Sequence, residues 1–141
     1  MIKWREEHRE LNKEGRELYS KYAKSIVLAG ASDGFFSHEI GFPIEIIPER
    51  DPYAAKAGES LPVRVNLRGN PAAGQEVEAA WAGSRESRTT IVGRTDSTGR
   101  ISVRLERPGL WRLHTLKMGR CSEPAVADWE SLWASLTFEI R

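Results

Sequence analysis

The chain has 141 residues, 40% of them hydrophobic and 29% charged, with 21 Lys and Arg against 20 Asp and Glu and three histidines. That length suits one domain with a real core, and a net charge of +1 offers no field of one sign to gather nucleic acid or an anionic membrane surface. The single cysteine, Cys121, excludes an intramolecular disulfide, and no apolar run approaches the roughly 20 residues of a transmembrane helix, so direct membrane insertion is not expected.

From Trp4 to Leu18 charges of both signs are interleaved. Glu6–Arg9, Glu10–Lys13 and Glu17–Lys21 are spaced to support an exposed helix by roughly a few tenths of a kcal/mol each, fraying at Gly15. Leu18, Tyr22 and Ile26 continue a helical stripe, whereas Ser25 to Leu28 read equally well as a strand; the reading favours a helix that turns to strand before Gly30. Met1-Ile2-Lys3-Trp4-Arg5 is not a signal peptide, and Met1 to Glu14 hold too little apolar surface to add much stability. Gly30 to Gly41 has the composition of a loop with Phe35-Phe36 as its apolar anchor. The expected organisation is an N-terminal arm over 1–40 and a core domain over 41–141.

The core domain opens with Gly41 to Pro48, a strand bounded by prolines and therefore suited to a sheet edge. Leu61, Val63, Val65 and Leu67 alternate with Pro62, Arg64, Asn66 and Arg68 to give the clearest strand in the sequence. Gly69 to Gly74 is turn chemistry, and Val77, Ala79 and Trp81 mark the returning strand, whose glutamates are expected to face the arginines of the strand before it. Gly83 to Arg88 is a polar loop, followed by a β-branched run from Thr89 to Thr95. Asp96-Ser97-Thr98-Gly99 reads as a tight turn with Gly99 at positive φ, releasing Ile101, Val103 and Leu105 on one face. Pro108-Gly109 then leads to Trp111 and Leu113, and so short a connection predicts an antiparallel hairpin. Asp128 reads as the N-cap of a short helix carrying Trp129 and Trp133, which ends before a last strand over Leu136 to Ile140. About seven short strands with turns at roughly ten-residue spacing predict an all-β sandwich, immunoglobulin-like or transthyretin (prealbumin)-like. Val63, Val65, Val77, Trp81, Ile101, Val103, Leu105, Trp111 and Phe138 are its expected interior.

No GxSxG elbow, CxxC, HExxH or phosphate loop stands in the sequence, so no enzyme is expected and no cofactor is required. A hydrolase reading would rest on chance combinations of serine, histidine and aspartate. His8 sits in the charged arm as a solvated side chain. His38 lies beside Glu39 in a loop, a pair able to donate to a metal. His114 shares strand parity with Arg112 rather than with Trp111 and Leu113, which suits a hydrogen-bonded histidine on a sandwich face or a metal ligand. Its expected co-ligands are Asp128 or Glu130, with Cys121 as a soft outside donor, and so incomplete a set binds Ni²⁺ or Co²⁺ only weakly. Trp129 and Trp133 are expected to cap the core; if exposed, they would instead be binding residues that stack on a ligand.

Residues 59 to 111, with ESLPVRVNLRGNPAAGQEVEAAW, TDSTGRISVRL and RPGLW, resemble the carboxypeptidase-regulatory and transthyretin-like sandwich modules. RELYSKYAKSIV, PIEIIPERDPYAAKAGESLPVRV and DWESLWASLTFEI, spanning Arg16 to the C-terminus, together resemble a bacterial periplasmic family of unknown function associated in part with nickel and cobalt uptake. His114 falls where that family usually has histidine. Its members open with an export signal and a histidine-bearing strand, neither of which stands here, so the resemblance implies the C-terminal part of such a protein. It further implies a non-enzymatic, extracytoplasmic (periplasmic) binding or interaction module accessory to nickel or cobalt uptake. Its partner would be a transporter component or the N-terminal domain. The alternative is a structural adhesion or carbohydrate-binding module using exposed Trp and Tyr as stacking surfaces.

Overall fold

The computed structural model describes residues 6–7, 15–82 and 89–141. Among the described residues nine strands follow one another: β1 (Glu17–Ser25), β2 (Ile44–Pro48), β3 (Glu59–Leu67), β4 (Asn70–Pro71), β5 (Glu76–Ala82), β6 (Thr89–Arg94), β7 (Arg100–Leu105), β8 (Gly109–Arg120) and β9 (Trp129–Ile140). They form two sheets, one ordered β1-β9-β8-β5-β6 and one in which β3 pairs with β2, β4 and β7. The architecture is an all-β sandwich, as the alternating pattern requires.

Period-two alternation decides which side chains meet between the sheets. Ile44 and Ile46 of β2, Leu61, Val63 and Val65 of β3, and Val103 and Leu105 of β7 pack against Val77 and Ala79 of β5, Trp111 and Leu113 of β8, and Leu136, Phe138 and Ile140 of β9. Seven of the nine expected interior residues are buried, whereas Trp81 and Ile101 are partly buried and pack against the core from its margin. Val103 is buried in that cluster, so Val103→Ala should cost about 1 to 3 kcal/mol through lost transfer energy and a residual cavity. An unchanged denaturant midpoint would show that the side chain is not packed.

Four expectations are corrected. The segment around Leu18, Tyr22 and Ile26 is not helical: β1 runs parallel to β9, from Glu17 opposite Trp129 to Ser25 opposite Thr137. A spacing of four places residues on one face of a strand as well as of a helix, and here Tyr22 and Ile26 pack on the core. β1, from the expected arm, is the edge strand of the five-stranded sheet. Most of the expected helix over Trp4 to Leu18, with His8, lies outside the described residues, as does the polar loop over Gly83 to Arg88.

The short helix expected after Asp128 is the start of β9. Twelve consecutive residues pair with β8, from Arg120 opposite Trp129 to Gly109 opposite Ile140. β8 on one side and β1 on the other, the latter from Trp129 to Thr137, take up the backbone groups of both edges of β9, which a helix of one or two turns does not do.

Neither expected hairpin forms. β7 pairs with β3, from Glu59 opposite Leu105 to Arg64 opposite Arg100, while β8 pairs with β5 and β9 in the other sheet. The Pro108-Gly109 turn carries the chain between sheets, where Trp111 Nε1 donates to Arg107 O at 2.9 Å and Trp81 Nε1 to Pro108 O at 2.9 Å. Strands that change sheets still turn their apolar faces to the same core, so period-two patterning alone does not distinguish a hairpin from a crossover. Likewise β3 and β5 lie in different sheets, and the arginines of β3 do not face the glutamates of β5. Arg64 instead pairs with Glu39 and Glu49, and Arg68 with Glu130.

Candidate functional site

The outward face of the five-stranded sheet carries three of the residues singled out in the sequence, His114, Trp129 and Trp133. His114 pairs in register with Glu78 of β5 on one side and Ser135 of β9 on the other. Its Nδ1 lies 3.5 Å from Glu78 Oε2, both side chains being partly exposed, and its ring centroid is 5.3 Å from that of Trp133. The position away from the core follows the parity read from Arg112. Glu78 is the partner the sequence reading missed, although its alternation with Val77 and Ala79 already placed it on this face. Among the described residues no hydrogen bond joins the Ser135 hydroxyl to His114.

Trp133 is half-buried on the same face, with Lys21 Nζ 5.4 Å from its ring centroid and 5.6 Å from that of Tyr19. Trp133 Nε1 donates to Ser131 Oγ at 2.9 Å, and the Ser131 hydroxyl donates to Glu17. Trp129 is only 2% exposed, and the Arg120 guanidinium lies 3.6 Å from its ring centroid. Neither tryptophan caps the core. Both have the parity opposite to Leu136 and Phe138, so the expected cap and an exposed two-tryptophan row are both corrected.

The expected His114, Asp128 and Glu130 set does not converge. Glu130 pairs opposite Gly119, five residues along β8 from His114, about 17 Å at the rise of a strand. Glu130 Oε2 accepts from Arg68 at 2.8 Å. Asp128 accepts from the Arg16 backbone N–H at 2.8 Å and from the Arg16 guanidinium, bonds that together hold its carboxyl below the ordinary carboxylate value. Arg16 N–H and C=O both engage Asp128 and its neighbour, so this carboxylate fastens the start of β1 to the start of β9. Cys121 is buried and free. Among the described residues no group of three or more His, Cys, Asp and Glu side chains is placed to hold a metal ion.

His38 belongs to a different place. It follows a 3-10 turn at Phe35–Ser37, stacks on Phe35 with ring centroids 4.4 Å apart, and lines a pocket between the end of β1, the loop after it and a second short turn at Pro52–Ala54. Glu39 turns away from it to Arg64 and Asn66, which dissolves the expected His38–Glu39 donor pair. The loop is held by Glu45 of β2. Its carboxylate is 3% exposed, bonds Lys24 Nζ at 2.7 Å, and accepts from Ile40 N–H at 2.9 Å and Gly41 N–H at 3.0 Å.

A family match extends over residues 2–119, most of the chain, to a domain of unknown function, DUF4198. The chain belongs to this family. Neither the curated proteins nor the solved structures contain a match. The matched span includes β1 through nearly all of β8, and with them His114, Glu78, Lys21 and the residues of the pocket. No helix among the described residues is long and apolar enough to cross a membrane.

Proposed function

We propose that the chain is a non-enzymatic binding module that works outside the cytoplasm as an accessory to nickel or cobalt uptake, and that it meets its partner through the outward face of the five-stranded sheet. The observation that carries this reading is the His114–Glu78 pair at 3.5 Å beside Trp133. A carboxylate beside one ring nitrogen, orienting the imidazole, is an arrangement that metal-ligating histidines commonly use. One imidazole nitrogen and a nearby carboxylate fit part of the donor set that Ni²⁺ or Co²⁺ favours; the rest would come from a transporter component or another domain. The sequence resemblance to a periplasmic family supports the location. The strand order supports an immunoglobulin-like sandwich over a transthyretin-like one: β8 lies between β9 and β5, with β1 parallel to β9 at the edge, above a sheet built on β3.

Calorimetry tests the metal reading. Ni²⁺ should bind no tighter than about micromolar, about −8 kcal/mol, and His114→Ala should remove most of that binding. Nanomolar affinity would contradict a partial site, and binding unaffected by His114→Ala would sink the role of this residue. Tyr19, 63% exposed beside Lys21, favours a second reading as a carbohydrate-binding module. That reading is the weaker of the two, because Lys21 and His114 already flank the Trp133 ring on which a sugar would stack.

A further inference from the structure

We infer that the pocket at the end of β1 binds a small organic ammonium ion with an apolar body, independently of the sheet face. The pocket has a volume of about 270 Å³, just below the range of roughly 300 to 1,000 Å³ typical of drug-sized ligand sites, so its occupant is small. Ile26, Phe35 and Phe36 give it apolar walls, and Tyr53 is fixed as a further wall by its hydroxyl, which donates to Ile26 O at 3.2 Å.

The charge of the lining selects the ligand. Lys24 is in the wall, but its ammonium is engaged by Glu45 at 2.7 Å and contributes no free positive charge. Asp33 and Asp51 also line the pocket. Each uses Oδ1 to accept a backbone N–H, from Phe35 at 3.0 Å and from Tyr53 at 2.9 Å, and among the described residues neither forms an ion pair with Lys, Arg or His. Asp33 and Asp51, each held by its local turn, line the same pocket as Phe35, Phe36 and Tyr53, and the two other titratable groups of the lining are engaged elsewhere, Lys24 by Glu45 and the His38 ring by stacking on Phe35. A neutral molecule can offer these partly exposed carboxylates only uncharged hydrogen bonds, and an anion would be repelled. An ammonium ion makes charge-assisted hydrogen bonds to them and also gains from the neighbouring Phe36 and Tyr53 rings.

A titration followed by amide NMR, using 2-phenylethylammonium, the neutral 2-phenylethanol and the anionic phenylacetate, tests the inference. The ammonium should shift amides of residues 24–40 and 51–53. The alcohol should bind at least about tenfold more weakly, and phenylacetate should leave these amides unmoved. Asp33→Asn with Asp51→Asn should abolish the preference for the ammonium over the alcohol, because Asn keeps the oxygen that accepts the backbone N–H and removes only the charge. An unchanged thermal midpoint separates lost charge from lost fold. Should the double variant unfold, Asp33→Asn alone should reduce the preference severalfold. Equal affinity for ammonium and alcohol, a preference that survives in the variants, or shifts confined to other residues would each overturn the assignment.

Discussion

Gly99→Ala should destabilise the fold by about 2 to 5 kcal/mol, read as a lowered urea midpoint with an unchanged slope. Gly99 closes the turn before β7 at φ 75°, and a Cβ there would stand 2.8 Å from Val65 O and 2.9 Å from Ala72 N. Those two atoms are hydrogen-bonded to each other at 2.9 Å, and Val65 N–H donates to Gly99 O at 2.8 Å, so no neighbour can move aside without breaking the join between β3 and β4. Two penalties therefore add: the left-handed backbone, about 1 to 2 kcal/mol for a residue with a Cβ, and the overlap, about 1 to 3 kcal/mol. Gly74→Ala separates them. Gly74 has φ 67° and open space around its Cβ position, so only the backbone penalty applies and the loss should be about 1 to 2 kcal/mol. Equal losses at the two glycines would show that the close approach at Gly99 contributes nothing.

Gly99 was readable in advance because a tight turn after Asp96 demands positive φ, and Asp96 does accept from Thr98 N–H at 2.7 Å and Arg100 N–H at 3.0 Å. The steric reason was not readable, since it depends on β3 and β4 lying against the turn. The same division runs through the chain. Alternation in β3 and β7 places Val63, Val65 and Val103 inside whatever the strand order, but it does not say which strands pair. At Leu18, Tyr22 and Ile26, and again at Trp129 and Trp133, the spacing of four is shared by helix and strand, and only the long β8–β9 ladder and the parallel addition of β1 decide between them. Parity of the same kind turned His114 outward correctly, yet its partner Glu78 comes from a strand 36 positions earlier, and the distance of Glu130 follows from the register of β9. The buried polar set was likewise silent in the sequence. Gln75 Nε2 donates to Thr115 Oγ1 at 2.8 Å and to Leu116 O at 2.7 Å, while its backbone N–H donates to Thr95 Oγ1 at 2.8 Å, which satisfies groups inside the sandwich that would otherwise be costly.

Glu45→Ala should cost about 3 to 5 kcal/mol at about pH 7, because it leaves the largely buried Lys24 ammonium unpaired and takes the acceptor away from the Ile40 and Gly41 amides. The pair reaches from β1 in one sheet to β2 in the other, so the loss should fall first on β1 and on the loop that forms the pocket, as faster amide exchange over residues 18–43 than over β3 or β8. Burial alone would raise the Glu45 pKa, but the Lys24 ammonium and the two backbone N–H groups bond its charged form and together outweigh burial, leaving the pKa below the ordinary 4.5. A carboxyl depressed in the folded state contributes stability that is fully present above its unfolded pKa and is lost as pH falls through its folded pKa. The gap in urea midpoint between the parent and Glu45→Ala should therefore be full above about pH 4.5 and should narrow as acid protonates Glu45 in the parent. Glu45→Gln retains an oxygen for the amides while removing the charge, so its cost should lie between those of the parent and the alanine variant. A gap that persists unchanged down to about pH 2 would mean that the ionised carboxylate is not what holds β1 and the loop in place.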